Sequence, residues 1–136
     1  MTVKSLNHIG IAVNSIDEQR SFYEDALGLK FEGQEEVASQ KVRVAFFRTG
    51  DVRIELLEPT EPDSTVAKFL EKRGEGLHHL AFTVEDIQSR IAELESAGLR
   101  MIDKEPRLGS HQMQIAFVHP KSSHGVLTEL CESAGN

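Results

Sequence analysis

The sequence predicts an α+β fold. Two tandem βαβββ modules are expected to form a curled, mostly antiparallel sheet around a central cleft. Three observations carry this. Asn7-His8-Ile9-Gly10-Ile11-Ala12-Val13 reads as a strand, and His79-Leu80-Ala81-Phe82-Thr83-Val84 repeats it in the second half. Each is followed by a helical stretch that stops at a glycine, Gly28 and Gly98. Each half then closes on an apolar run carrying one carboxylate: Ile54-Glu55-Leu56-Leu57 and Leu127-Thr128-Glu129-Leu130. Modules this small have little core of their own, so they are expected to pack together. The expected organisation is one domain over 1–136, with module one at 5–60, a linker helix at 61–75 and module two at 76–133.

The elements follow in order. Ile9, Ile11 and Val13 alternate with His8, Gly10 and Ala12, which is the period of a strand. Ser15 and Glu18 form a capping box at the start of a helix that runs to Leu27. Gly28 is its C-cap, and Phe22, Ala26 and Leu29 supply an apolar face. Leu29 to Glu32 begins a strand that Gly33 interrupts. Val42, Val44 and Phe46 alternate in the next, and Thr49-Gly50-Asp51 turns into Val52 to Leu57. Pro59 and Pro62 close the module. Asp63-Ser64-Thr65 caps a linker helix, Val66 to Lys72, ending at Gly74 and Gly76. Module two repeats the order. A strand spans Leu77 to Val84, and a helix spans about Asp86 to Ala97 with Ile87, Ile91 and Leu94 on one face. Strands are expected near Leu99, over Met113 to Val118 and over Val126 to Leu130.

Composition excludes several classes of function. The chain has 136 residues, 39% hydrophobic and 27% charged, as in an ordinary globular protein. A net charge of -7 argues against a nucleic-acid backbone as partner. It leaves room for an anionic small ligand in a local cationic pocket. Cys131 is the single cysteine, so no intrachain disulfide forms. No apolar targeting stretch follows Met1-Thr2-Val3-Lys4, and the expected location is the cytoplasm. No apolar run approaches the roughly 20 residues of a membrane helix, so no membrane partner is expected.

The chemistry lies in the repeat. His8 and His79 sit near the starts of equivalent strands, and Glu55 and Glu129 sit inside apolar closing strands. Neighbours on a strand alternate faces, so each glutamate points away from its apolar flanks. A carboxylate aimed into a concave sheet is costly to desolvate unless it is paired, and a divalent cation is one such partner. Any one of the four alone reads as an ordinary core histidine or surface glutamate. Their placement at equivalent points of both repeats makes the cleft a central metal cleft instead. Two imidazoles and two carboxylates suit one divalent ion, Co, Zn, Mn or Ni. Four protein ligands on a six-coordinate ion leave two positions for a chelating substrate.

The remaining candidates are weaker. His78 must face away from His79 and reads as a packing residue. His111, His119 and His124 fall in loops, and Cys131 reads as a small buried residue. Ser110, in the Arg107-Leu108-Gly109-Ser110 loop, and Lys121 and Ser122, in the His119-Pro120-Lys121-Ser122-Ser123 loop, are candidate contacts for an anionic substrate. The sequence holds no G-x-S-x-G, P-loop or G-x-G-x-x-G motif.

At these residues the chain resembles the vicinal oxygen chelate superfamily, and within it the methylmalonyl-CoA epimerases. The resemblance covers nearly the whole chain. Lys41-Val42-Arg43-Val44-Ala45-Phe46, Ser64-Thr65-Val66-Ala67 and the His119-Pro120-Lys121 loop add to the His and Glu stretches, the last two pointing to the epimerase branch. The resemblance implies metal ligands at His8, Glu55, His79 and Glu129, with Glu55 where some members carry glutamine. It implies a CoA thioester substrate, a homodimer, and interconversion of 2R and 2S methylmalonyl-CoA through a metal-stabilised enolate, with Glu129 taking the C2 proton. A second acid/base glutamate of the family falls at Val44, so that partner is not carried over. The alternatives are a glyoxalase-I-type isomerase or lyase and a metal-free binding module of the same fold. An extradiol dioxygenase needs only one carboxylate, and Glu55 speaks against it.

Overall fold

A computed structural model describes residues 3–133. It divides into two compact units, residues 8–78 and residues 79–133 together with 3–7. The linker helix belongs to the first of these, here module one. Among the described residues, no helix is long and apolar enough to cross a membrane.

In module one the strands lie in the order β2-β3-β4-β1. β1 (Ser5–Ala12) enters it from His8 and runs parallel to β4 (Val52–Pro59), with His8 beside Arg53 and Gly10 beside Glu55. β3 (Val42–Thr49) is antiparallel to both β4 and β2 (Lys30–Val37). The β2–β3 register slips between Phe31 and Gln34, at the predicted interruption, where Gly33 has φ +108°. This bulge brings Glu35 directly opposite Val44.

The first helix departs from expectation. α1 (Ile16–Ser21) gives way to a π-helical segment, Phe22–Ala26, in which the Leu27 N–H reaches back to the Phe22 carbonyl at 3.0 Å. The wider turn changes which residues face the sheet. Tyr23 packs on Phe47 with ring centroids 5.7 Å apart, whereas Phe22 and Ala26 are exposed. The predicted cap holds: Ser15 Oγ accepts the Glu18 N–H at 3.2 Å. A second cap comes from far along the chain, where Glu58 Oε1 accepts the Ile16 N–H at 2.8 Å.

Strand alternation gives the sheet of module one two faces. Ile11, Ile54, Leu56, Ala45 and Phe47 meet Ile16 and Tyr23 beneath α1. The other face carries Ala12, Val42, Val44, Phe46 and Leu57, covered by Val66, Phe69 and Leu70 of α2 (Thr65–Arg73). Ser64 caps α2, its Oγ accepting the Ala67 N–H at 2.9 Å.

Module two has the matching order β5-β8-β7-β6. β5 (Gly76–Thr83), of which residues 79–83 lie in this unit, runs parallel to β8 (Thr128–Glu132). β8 starts two residues later than predicted. Gly125 is in a left-handed conformation, and Val126 is held in the turn with its carbonyl accepting from Thr128 Oγ1. α3 (Ile87–Ser96) buries Ile87 and Ile91 against Ala116, Val118 and Leu130. Its start is held by Glu132, whose carboxylate accepts the Asp86 and Ile87 N–H groups at 2.6 and 2.9 Å.

The strand expected near Leu99 is not formed. Met101 makes an isolated bridge to Val118. The edge strand is the two-residue β6 (Arg107–Leu108), paired with β7 (Gln114–Val118). The reason is a side chain: Asp103 Oδ2 accepts the Phe117 N–H at 2.9 Å, doing the work of a ladder bond.

Candidate metal centre

The parallel pairings place the four candidate ligands. In module one Glu55 lies opposite Gly10, two residues beyond His8. In module two Glu129 lies opposite Ala81, two residues beyond His79. Histidine, small residue and glutamate therefore share one face of each module at the same offset. The aromatic across the next pairing also recurs, Phe46 opposite Glu55 and Phe117 opposite Glu129.

All four are buried, with relative exposures of 3% for His8, 3% for Glu55, 7% for His79 and 5% for Glu129. His8 Nδ1 lies 3.3 Å from Glu55 Oε2. His79 Nε2 lies 3.2 Å from Glu129 Oε1. The His79 ring also stands edge-on to Phe117, centroids 5.6 Å apart. Each module thus holds one buried imidazole–carboxylate pair.

Burial of a carboxylate is unfavourable by several kcal/mol without a compensating charge. The donor set, imidazole nitrogens and carboxylate oxygens, fits a divalent metal ion. Cys131 is buried on the face of Glu129, and its Sγ donates to the Phe82 carbonyl at 3.5 Å.

The surroundings of the two pairs differ. Arg53, two residues before Glu55, shares its face, and its Nε lies 3.5 Å from Glu55 Oε2. The corresponding residue of module two is Leu127. Arg53 escaped notice in the sequence, although its even spacing from Glu55 in a strand was the available signal.

The loop candidates lie at the far end of β7 and at its turn. Ser110 is half-buried between β6 and β7, where its carbonyl accepts the Met113 N–H. His111 and Gln112, beside it, are in left-handed conformations. Lys121 is exposed, and its N–H donates to His119 Nδ1 at 3.1 Å. Desolvation, with Arg100 and Lys121 nearby, lowers the His119 pKa. Ser122 Oγ accepts the Arg100 N–H at 2.8 Å, leaving its hydroxyl hydrogen to donate elsewhere. His78 packs against Phe69, centroids 4.9 Å apart.

Residues 7–117 match the Glyoxalase/Bleomycin resistance protein/Dioxygenase superfamily, and the chain belongs to it. It is 50% identical over 131 residues to the uncharacterized protein YqjC of Bacillus subtilis, covering 96% of this chain and 94% of that one. It is 36% identical over 127 residues to the ethylmalonyl-CoA/methylmalonyl-CoA epimerase of Cereibacter sphaeroides, covering 92% and 95%. Among solved structures, the methylmalonyl-CoA epimerase of Mycobacterium tuberculosis superposes with a TM-score of 0.94 at 37% identity, over 98% of this chain and 90% of that one. A methylmalonyl-CoA epimerase in complex with methylmalonyl-CoA and NH4+ gives 0.92 at 41% identity, over 98% and 97%. Within the superfamily, the chain belongs to the methylmalonyl-CoA epimerase family.

Proposed function

We propose that this protein interconverts the 2R and 2S epimers of methylmalonyl-CoA, with His8, Glu55, His79 and Glu129 holding one divalent cation. The observation that carries the reading is the buried imidazole–carboxylate pair repeated at one register in both modules. Family membership supports the substrate, a CoA thioester. Ethylmalonyl-CoA, named with methylmalonyl-CoA for the Cereibacter relative, is the second substrate to assay.

The bound cation would supply Lewis-acid stabilisation of negative charge at the thioester oxygen. The chain's own residues do the rest. Glu129 takes the C2 proton as general base, and the apolar side chains of Met113, Ile115 and Phe117 on its face keep water away. Ser110, Lys121 and Ser122 contact the substrate's polar groups.

Inversion requires reprotonation from the opposite side. Val44, 3% exposed in an apolar cluster, offers no proton. Glu35 lies directly across from Val44 and shares its face, half-buried. It is the proposed second acid/base group. The working form is a cytoplasmic homodimer, which light scattering on the purified protein tests for assembly.

The test is hydrogen exchange at C2 of methylmalonyl-CoA in deuterated water, across a set of added divalent metals. Glu129→Gln should lower exchange from the epimer whose C2 proton it takes by about a hundredfold or more, and exchange from that epimer at the wild-type rate overturns the assignment. Glu35→Gln should keep exchange from one epimer while slowing net inversion, and unchanged inversion would leave water as the second donor. The superfamily also supports a glyoxalase-I-type reading, and the hemithioacetal of glutathione assayed beside methylmalonyl-CoA separates the two. A protein that takes up no metal on reconstitution removes the metal reading.

A further inference from the structure

We infer that Arg53 is the charge partner of Glu55 and keeps the metal centre positive enough to receive an anionic substrate. The inference rests on reading Glu55 and His8 as ligands. Arg53 lies opposite His8 in the β1–β4 pairing and opposite Arg48 in the β3–β4 pairing, so its position is set by strand register on both sides. Its side chain is only 13% exposed. Arg53 Nε approaches Glu55 Oε2 at 3.5 Å, the oxygen that also faces His8 Nδ1 at 3.3 Å. The guanidinium stands 5.7 Å from the Phe46 ring centroid, above the aromatic opposite Glu55. Glu55 Oε2 therefore lies in the field of the guanidinium without a hydrogen bond to it.

The charge count explains why a nearby cation matters. Two neutral imidazoles and two carboxylates carry -2, which a divalent cation cancels. Such a centre has no net attraction for a substrate bearing a free carboxylate, and none for the further negative charge of the enolate. Arg53 restores one positive charge. In module two Leu127 stands at the matching place, and the guanidinium 5.7 Å from the Phe117 ring centroid is that of Arg107, from the edge strand.

The experiment is a cobalt(II) titration of the purified protein, followed by visible absorption, with malonyl-CoA then titrated into the cobalt-loaded form. Wild type, Arg53→Met, Arg53→Lys, Glu55→Gln and the double variant Arg53→Met/Glu55→Gln are compared. Arg53→Met should tighten cobalt binding and Glu55→Gln should weaken it, each on the order of tenfold. Arg53→Met should weaken malonyl-CoA by a similar factor. The double variant, with the wild-type charge count, should return both affinities towards wild type, and Arg53→Lys should stay near wild type. Opposite signs from the single variants and recovery in the double are effects that lost packing does not produce. Unchanged affinities in Arg53→Met, or weakened cobalt binding without recovery, overturn the inference. Should Arg53→Met not fold, Glu55→Gln against Arg53→Lys/Glu55→Gln carries the same comparison, and equal affinities in those two are expected. Failure of the metal reading is recognisable separately, because wild type itself would then bind no cobalt, and the inference falls with it.

Discussion

The two modules share the register of a buried histidine and glutamate and differ in the side chains that flank it. Both place histidine, small residue and glutamate on one face, with phenylalanine across from the glutamate. In module one that face carries Arg53 and is covered by α2 through Val66, Phe69 and Leu70. In module two the face is lined by Met113, Ile115, Phe117 and Cys131. Module one ends in an eight-residue edge strand, β2, and module two in the two-residue β6. Strand pairing fixes where the histidine and glutamate sit, while residues that pairing leaves open set their surroundings.

The largest expected effect sets Glu129 against Glu55. Glu129→Gln should lower C2 exchange by about a hundredfold or more and resist added metal. Glu55→Gln should lose activity that excess metal restores. Equal behaviour of the two would erase the functional difference between the modules.

Next come the carboxylates that hold the helix starts. Glu132 accepts two N–H groups of α3's entry, whereas Glu58 accepts one from α1 and pairs with Arg43 at 3.0 Å. Glu132→Ala should cost about 2 kcal/mol and Glu58→Ala about 1 kcal/mol in denaturant unfolding. A reversed order would show that Arg43 matters more than the second N–H.

The edge strands give a smaller contrast. A Cβ at Gly109 would lie 2.9 Å from Ile115 Cγ2, so Gly109→Ala should perturb the packing of module two. At Gly33 nothing stands within 4 Å, and the cost of Gly33→Ala comes from its positive φ alone. Each should cost about 1 kcal/mol, but only Gly109→Ala should disturb Ile115, visible in its methyl NMR signals.

The smallest effect concerns α2, the element particular to module one's face. Its lead-in residue Asp63 is hydrogen-bonded to Lys41, which lowers the Asp63 pKa below its ordinary 3.8 and raises that of Lys41. A depressed carboxyl pKa contributes stability above the unfolded value and loses it as pH falls through the folded one. Below pH 4 the thermal midpoint of wild type should therefore drop slightly more than that of Asp63→Asn. Both groups are exposed, so salt should reduce the difference.

Much of this architecture was legible because it is local and repeated. Alternation around His8 and His79, Ser15 and Ser64 as caps, and Gly33 as an interruption all act within a few residues. What escaped depends on groups distant in the chain. Asp103 replaces a ladder bond to Phe117, so no strand forms at Leu99. The π-helical turn exchanges Phe22 for Tyr23 against Phe47, which helical periodicity alone does not foresee. Arg53 has the right parity in its strand, but only the pairing with β1 and β3 fixes its neighbours.

The helix-holding carboxylates stand three residues beyond the candidate ligands, Glu58 after Glu55 and Glu132 after Glu129. An odd interval puts them on the opposite face of the same strand. A one-residue slip of β4 or β8 would turn the candidate ligand carboxylate to the helix side and pull its companion off the helix entry. Each closing strand thus carries its own proofreading: a chain that folds out of step loses an anchor on both faces at once, and the wrong alignment is penalised during folding itself.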